Sequence, residues 1–220
     1  MKLFVIRLLS LVFGLFLYSL GIVLTIKANI GYAPWDVFHV GLAQKTGISI
    51  GIASIITGVV VVAAVIILGE KIGLGTLCNM VVIGVFIDLI FLSNVIPKQE
   101  NLVFGIVMLA FGLFVISVGS YFYIRAAFGA GPRDSLMVVL NKKTKLPIGL
   151  CRSALELTVT IIGWILGGMV GIGTVISVIA IGFIIQLTFA LLKFVPANIE
   201  HETLGQTYKN MVSRRKSGQN

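Results

Sequence analysis

The sequence predicts an all-α membrane protein. It has six transmembrane helices arranged as two inverted three-helix repeats, each with one short Pro-x-Asp helix that does not span. Three observations carry this. The 220 residues are 58% hydrophobic and only 11% charged, with mean hydropathy +1.08. A shift of 98 residues lays one half of the chain on the other. Lys and Arg gather in alternate connections between the apolar runs. Such a composition excludes a soluble globule, a disordered chain and a coiled coil. Two cysteines are too few for a disulfide scaffold, and Cys78 and Cys151 sit in apolar stretches as small buried hydrophobes do.

The apolar runs are Leu8–Ile26, Ile48–Leu68, Leu74–Ile96, Leu102–Ile124, Leu150–Leu166 and Ile172–Phe194. Each approaches the roughly 20 residues that one helical span requires. They are unbroken, not alternating, which argues against a β-barrel. Lys2 and Arg7 before the first run resemble a signal peptide. A suitable small-x-small site is missing, however, and the same pattern recurs in mid-chain, so the first run reads as a retained helix.

That recurrence is the strongest signal. Phe13-Gly14-Leu15-Phe16 falls on Phe111-Gly112-Leu113-Phe114. Gly31, Pro34 and Asp36 fall on Gly129, Pro132 and Asp134, and Gly73-x-Gly75-Thr76 falls on Gly171-x-Gly173-Thr174. Hydrophobicity alone does not place Gly, Pro, Asp and Thr in register. The organisation is therefore a first repeat over 1–98, a second over 99–195, and a polar basic tail over 196–220 ending in Arg214-Arg215-Lys216.

Three spans per repeat is odd, so tandem copies face opposite ways across the membrane. With both termini cytoplasmic, fourteen of the 17 Lys and Arg lie inside and only Lys27, Lys45 and Lys98 lie outside. The formal charge of +9 is explained by this bias, without nucleic acid.

Between the first two spans of each repeat runs a segment that begins with a cation, Lys27 or Arg125. It continues through a Gly to Pro34-Trp35-Asp36 or Pro132-Arg133-Asp134. Pro suits the first turn of a helix, and Asp two residues later meets the positive end of the macrodipole. Each segment reads as a short interfacial or re-entrant helix. On one reading Asp36 and Asp134 cap these helices and pair with Lys27 and Arg125. On the other, the two broken segments meet near the midplane and bind a solute or ion, as discontinuous helices do in transporters. Trp35 and His39 become Arg133 and Met137 in the copy, an asymmetry that one asymmetric ligand would need.

Polar residues within the spans extend the list. Asp88 has Gln186 as counterpart, Asn79 has Ser177, and Thr76 has Thr174. Arg152 and Glu156 are spaced to pair on one helical face. Intramembrane ionisable groups are costly and mark pathways. Asp88 is accordingly either a coupled carboxylate or a wet residue near the outer end of its span. The Gly-x-Gly-Thr starts, and Gly163-x-x-x-Gly167, read as close-packing faces. The first could also present N–H groups to an anion.

Gly47-Ile-Ser49-Ile-Gly51 spells a nucleophile elbow, yet it opens a membrane helix and its copy replaces Ser with Pro147. No metal, nucleotide or dinucleotide motif occurs, so no enzyme activity, metal or cofactor is expected.

The run Gly31-Tyr-Ala-Pro34-Trp35-Asp36-Val-Phe-His39-Val-Gly41-Leu-Ala43, with Thr46-Gly47-x-Ser49-x-Gly51 and Gly73-x-Gly75-Thr76-x-x-Asn79, resembles the YczE-like bacterial membrane proteins of the broader YitT/YczE group. The resemblance extends to about Phe194 and implies a multi-pass protein of a bacterial inner membrane. One departure is Ala33 before Pro34, where a second Gly is expected and the copy keeps Gly131. The residues therefore suggest a small permease for an unidentified solute. Its site would lie between the Pro-x-Asp segments, at Lys27, Pro34, Trp35, Asp36, His39, Asn79, Asp88, Arg125, Pro132, Arg133 and Asp134. The alternative is a non-transporting accessory protein, meeting anionic lipid or an acidic partner through Lys142, Lys143, Lys145 and the tail. Oligomeric state is not encoded in any motif.

Overall fold

A computed structural model describes residues 2–196, 199–207 and 209. Among them the chain is helical, with no strand. The helices are α1 (Lys2–Lys27), α2 (Pro34–Thr46), α3 (Ile50–Ile67), α4 (Leu74–Ser93), α5 (Leu102–Arg125), α6 (Pro132–Thr144), α7 (Ile148–Ile165) and α8 (Ile172–Leu191). All but α2 and α6 are long and apolar enough to cross a bilayer. The chain is a multi-pass membrane protein. The 13-residue α2 and α6 reach only about 20 Å at 1.5 Å per residue.

Pro34 and Pro132 open α2 and α6 at the first helical turn, where a missing N–H leaves no bond unmade. The residues before them share one extended conformation, φ −62° and ψ 153° at Ala33, φ −62° and ψ 159° at Gly131. Any residue adopts it, so Ala33 fits. Gly131 is kept for crowding: a Cβ there would stand 3.2 Å from the Tyr123 hydroxyl and 3.3 Å from Asp134 Oδ2.

The core is built on α1 and α5. A Cβ on Gly14 would stand 2.8 Å from the Gly119 carbonyl, and one on Gly21 would stand 2.7 Å from that of Gly112. Numbers rise along one helix as they fall along the other, so the two are antiparallel, and glycine lets their backbones touch. Leu11, Leu15, Val23, Leu109, Leu113 and Ile116 are buried around this seam with Ile83 and Ile87 of α4. Helix α4 flanks α1, and α8 flanks α5.

The short helices cross over. Helix α2 lies on α7, where Gly41 meets the Gly163 carbonyl and Gly168 meets the backbone of Val37. The anticipated Gly163/Gly167 face is thus half right. Gly163 packs, but Gly167 lies beyond the end of α7 at φ +107°, a turn position. Helix α6 lies on α3 through Leu136 and Val139 against Val61 and Val65.

The Gly-x-Gly-Thr starts hold the loops that lead into the short helices. At α4, Gly75 N–H donates to the Phe128 carbonyl (2.7 Å) and Thr76 Oγ1 donates to that of Ala130 (2.6 Å). At α8, Gly173 N–H donates to the Ile30 carbonyl (2.7 Å). The orphan donors of these helix ends are satisfied by backbone, not by an anion. Residues 199–207 fold back on the same end of the molecule as Phe128. Arg7 pairs with Glu202 at 2.7 Å, its Nε donates to the Ala126 carbonyl, and its guanidinium lies over the Phe128 ring. The Arg214-Arg215-Lys216 cluster lies outside the described residues.

Candidate functional site

The starts of α2 and α6 border a cavity whose largely apolar lining carries several charged and polar side chains. Three adjoining lobes of about 200, 100 and 80 Å³ share Tyr18, Trp35, Arg133 and Arg152. The largest also takes in His39, Asn79, Tyr123 and Asp134. The smallest takes in Pro34, Asp36, Glu156 and Ser177. Eight of the eleven residues singled out by sequence therefore line it: Pro34, Trp35, Asp36, His39, Asn79, Pro132, Arg133 and Asp134.

Three stand elsewhere. Lys27 ends α1 with its ammonium over the Phe91 ring, 5.1 Å from the centroid. Arg125 ends α5 and donates to the Tyr121 hydroxyl at 2.9 Å. Neither pairs with Asp36 or Asp134, and neither aspartate makes a side-chain cap bond to its own helix. The capping and pairing reading fails because each cation belongs to a helix end, while Asp36 and Asp134 line the cavity. Asp88 is the third. Its Oδ2 accepts the Ser49 hydroxyl and its Oδ1 accepts the Gly51 N–H at 2.8 Å, so it fixes the start of α3. Ser49, the residue of the nucleophile-elbow spelling, is the N-cap of α3 and accepts from Ile52 N–H.

Within the cavity the charges are unequally partnered. Arg152 Nε donates to Glu156 Oε1 at 2.8 Å, the anticipated pair. Arg133 stacks over Trp35, 4.7 Å from the ring centroid, a favourable cation–π arrangement. Asp36 is 3% exposed, and the His39 imidazole stands beside it, with Nδ1 3.7 Å from Oδ1. That is too long for a hydrogen bond. Asp36 Oδ1 and Ser177 Oγ are the two buried side-chain atoms, among the described residues, that have no hydrogen-bond partner.

Tyr18, Tyr123, Arg152, Glu156 and Ser177 were absent from the sequence-derived set. Shifted by 98, Arg152 and Glu156 fall on Ser54 and Gly58, and Ser177 falls on Asn79; those three also line the cavity. Applying the register to every candidate would have recovered one of the five, Ser177, from Asn79. Arg133 and Arg152, assigned to the inner connections, line the cavity.

Residues 5–189 match a family of unknown function, DUF6198. The chain is 36% identical over 177 residues to the uncharacterized membrane protein YczE of Bacillus subtilis, covering 80% of this chain and 81% of that one. An uncharacterized protein of Haemophilus influenzae is 32% identical, covering 84% of each chain. The uncharacterized protein YyaS of Bacillus subtilis is 29% identical, covering 79% and 88%. No solved structure matches. With its match spanning most of the chain and a relative this similar over most of its length, the protein belongs to the DUF6198 family.

Proposed function

We propose that the chain is a small secondary transporter whose solute site is the cavity between the starts of α2 and α6. In this reading residues 1–98 and 99–195 are inverted repeats in a bacterial inner membrane, both termini are cytoplasmic, and the protein catalyses no reaction and needs no cofactor. The antiparallel contact of Gly14 with Gly119 and Gly21 with Gly112 supports inversion. A twofold along the membrane normal would make α1 and α5 parallel.

The observation that carries the proposal is unequal closure. Gly51 and Gly84 bring α3 and α4 together, whereas their counterparts Gly149 and Gly182 have no atom within 4 Å of an added Cβ. Between α7 and α8 lies a cleft of about 520 Å³, with Pro34 at its edge. Two similar helix pairs, one shut and one apart, describe one state of an alternating-access cycle. Exchanging their arrangements would give the other.

The test is disulfide trapping in membranes. Cysteines at 149 and 182, with Cys78 and Cys151 replaced, are expected to cross-link under mild oxidant as α7 and α8 close. Absence of that cross-link in every condition, with a folded protein, favours the rigid accessory reading over transport. Reporter fusions placing the C-terminus outside would overturn the inverted topology.

A further inference from the structure

We infer that the solute is amphoteric: a small molecule with an ammonium group seated on Asp36 and Ser177 and a carboxylate or sulfonate seated on Arg133. The movement of this solute rests on the transporter reading; its binding does not.

Asp36, Ser177 and Arg133 line the same 80 Å³ lobe. Among the described residues, Asp36 Oδ1, Ser177 Oγ and the Arg133 guanidinium have no protein hydrogen bond, His39 Nδ1 standing 3.7 Å from Asp36 Oδ1. Asp36 Oδ1 and Ser177 Oγ are buried, at 3% and 1% residue exposure, and lack hydrogen bonds. A buried carboxylate oxygen without a donor is expensive to leave so, and an ammonium group supplies three donors of the right charge. Arg133 presents its face to Trp35. No acceptor engages its N–H edges among the described residues, and those edges match the planar geometry of a carboxylate.

The decisive point is that these opposite charges do not meet. Asp36 and Arg133 line one lobe, yet no ion pair within 4.0 Å joins them, nor Arg133 to Asp134. Asp36 is fixed in the first turn of α2 and Arg133 in that of α6. Unlike charges attract, and the two helix starts hold these apart. A simple anion leaves Asp36 without a donor, and a simple cation leaves Arg133 without an acceptor. A molecule carrying both groups satisfies both. Arg152 differs from Arg133 in that its Nε already donates to a carboxylate, Glu156 Oε1.

The experiment uses the full chain in lipid nanodiscs. Thermal unfolding is followed with glycine, 4-aminobutyrate or taurine as amphoteric probes, and with acetate and methylammonium as their halves. At least one amphoteric probe is expected to raise the melting temperature with dose, and each half to bind at least tenfold more weakly. Asp36→Asn is expected to weaken the amphoteric probe and methylammonium but not acetate. Arg133→Gln is expected to weaken the amphoteric probe and acetate but not methylammonium. Ser177→Ala gives a smaller loss on the ammonium side and serves if Asp36→Asn does not fold. Failure of all three amphoteric probes, or a half-molecule binding as tightly, overturns the inference. Binding without uptake into proteoliposomes upholds it and removes the transporter reading instead.

Discussion

Gly51 and Gly84 touch backbone to backbone where α3 crosses α4: a Cβ on Gly84 would stand 2.5 Å from the Gly51 carbonyl. Alanine at either position must push the helices apart, and overpacking of this kind costs about 1–3 kcal/mol. Gly51→Ala and Gly84→Ala are expected to lower thermal stability. Gly149→Ala and Gly182→Ala, with open space around them, are expected to melt like the wild type while slowing uptake. Equal melting losses in all four variants would contradict the two-state account.

Asp88 anchors the start of α3 through two bonds to its carboxylate. Asp88→Asn is expected to lower stability by about 1–2 kcal/mol, the scale of charged hydrogen bonds and helix caps. Probe binding should be retained. Intact stability with lost uptake would restore Asp88 as a coupling carboxylate.

Gly129 holds φ +123°, and a Cβ there would stand 2.8 Å from Gly73 Cα. Gly129→Ala combines a left-handed backbone with a backbone clash, so destabilisation above about 1 kcal/mol is expected. Calorimetry or a thermal-shift assay measures it, and a neutral result would mean the loop does not dock as described.

Glu202 ties the returning tail to Arg7. Arg7 also stacks on Phe128 and donates to the Ala126 carbonyl, contacts that removing Glu202 leaves in place. Glu202→Ala is therefore expected to leave the bundle melting nearly unchanged and to speed proteolytic cutting near residue 199. A global loss of stability would assign the tail a larger part in the fold.

The spans were legible in sequence because hydrocarbon demands long apolar helices, and the ends of α4, α5 and α8 begin where Leu74, Leu102 and Ile172 announce them. The short helices were legible through Pro34 and Pro132. The site was only partly so. Sequence spacing found Asp36 and Asp134 but attached Lys27 and Arg125 to them, because nearness in the chain says nothing about which way a helix end faces. Asp88 looked like a buried charge, since the donors that hold it come from Ser49 and Gly51, distant in sequence. Tyr18 and Tyr123 gave no signal: a tyrosine in an apolar span reads the same whether its hydroxyl meets a cavity or a lipid.

The Gly-x-Gly-Thr contacts have a consequence for biosynthesis. The start of α4 grips a loop that follows α5, and the start of α8 grips one that follows α1. While only the first hundred residues have been made, the donors at Gly75 and Thr76 have no carbonyl waiting, and the loop near Ile30 has no helix end to rest on. The nascent half must stay in the membrane incompletely folded until the rest arrives. Two separately encoded halves, produced together, should therefore assemble into a working protein, and either produced alone should be degraded.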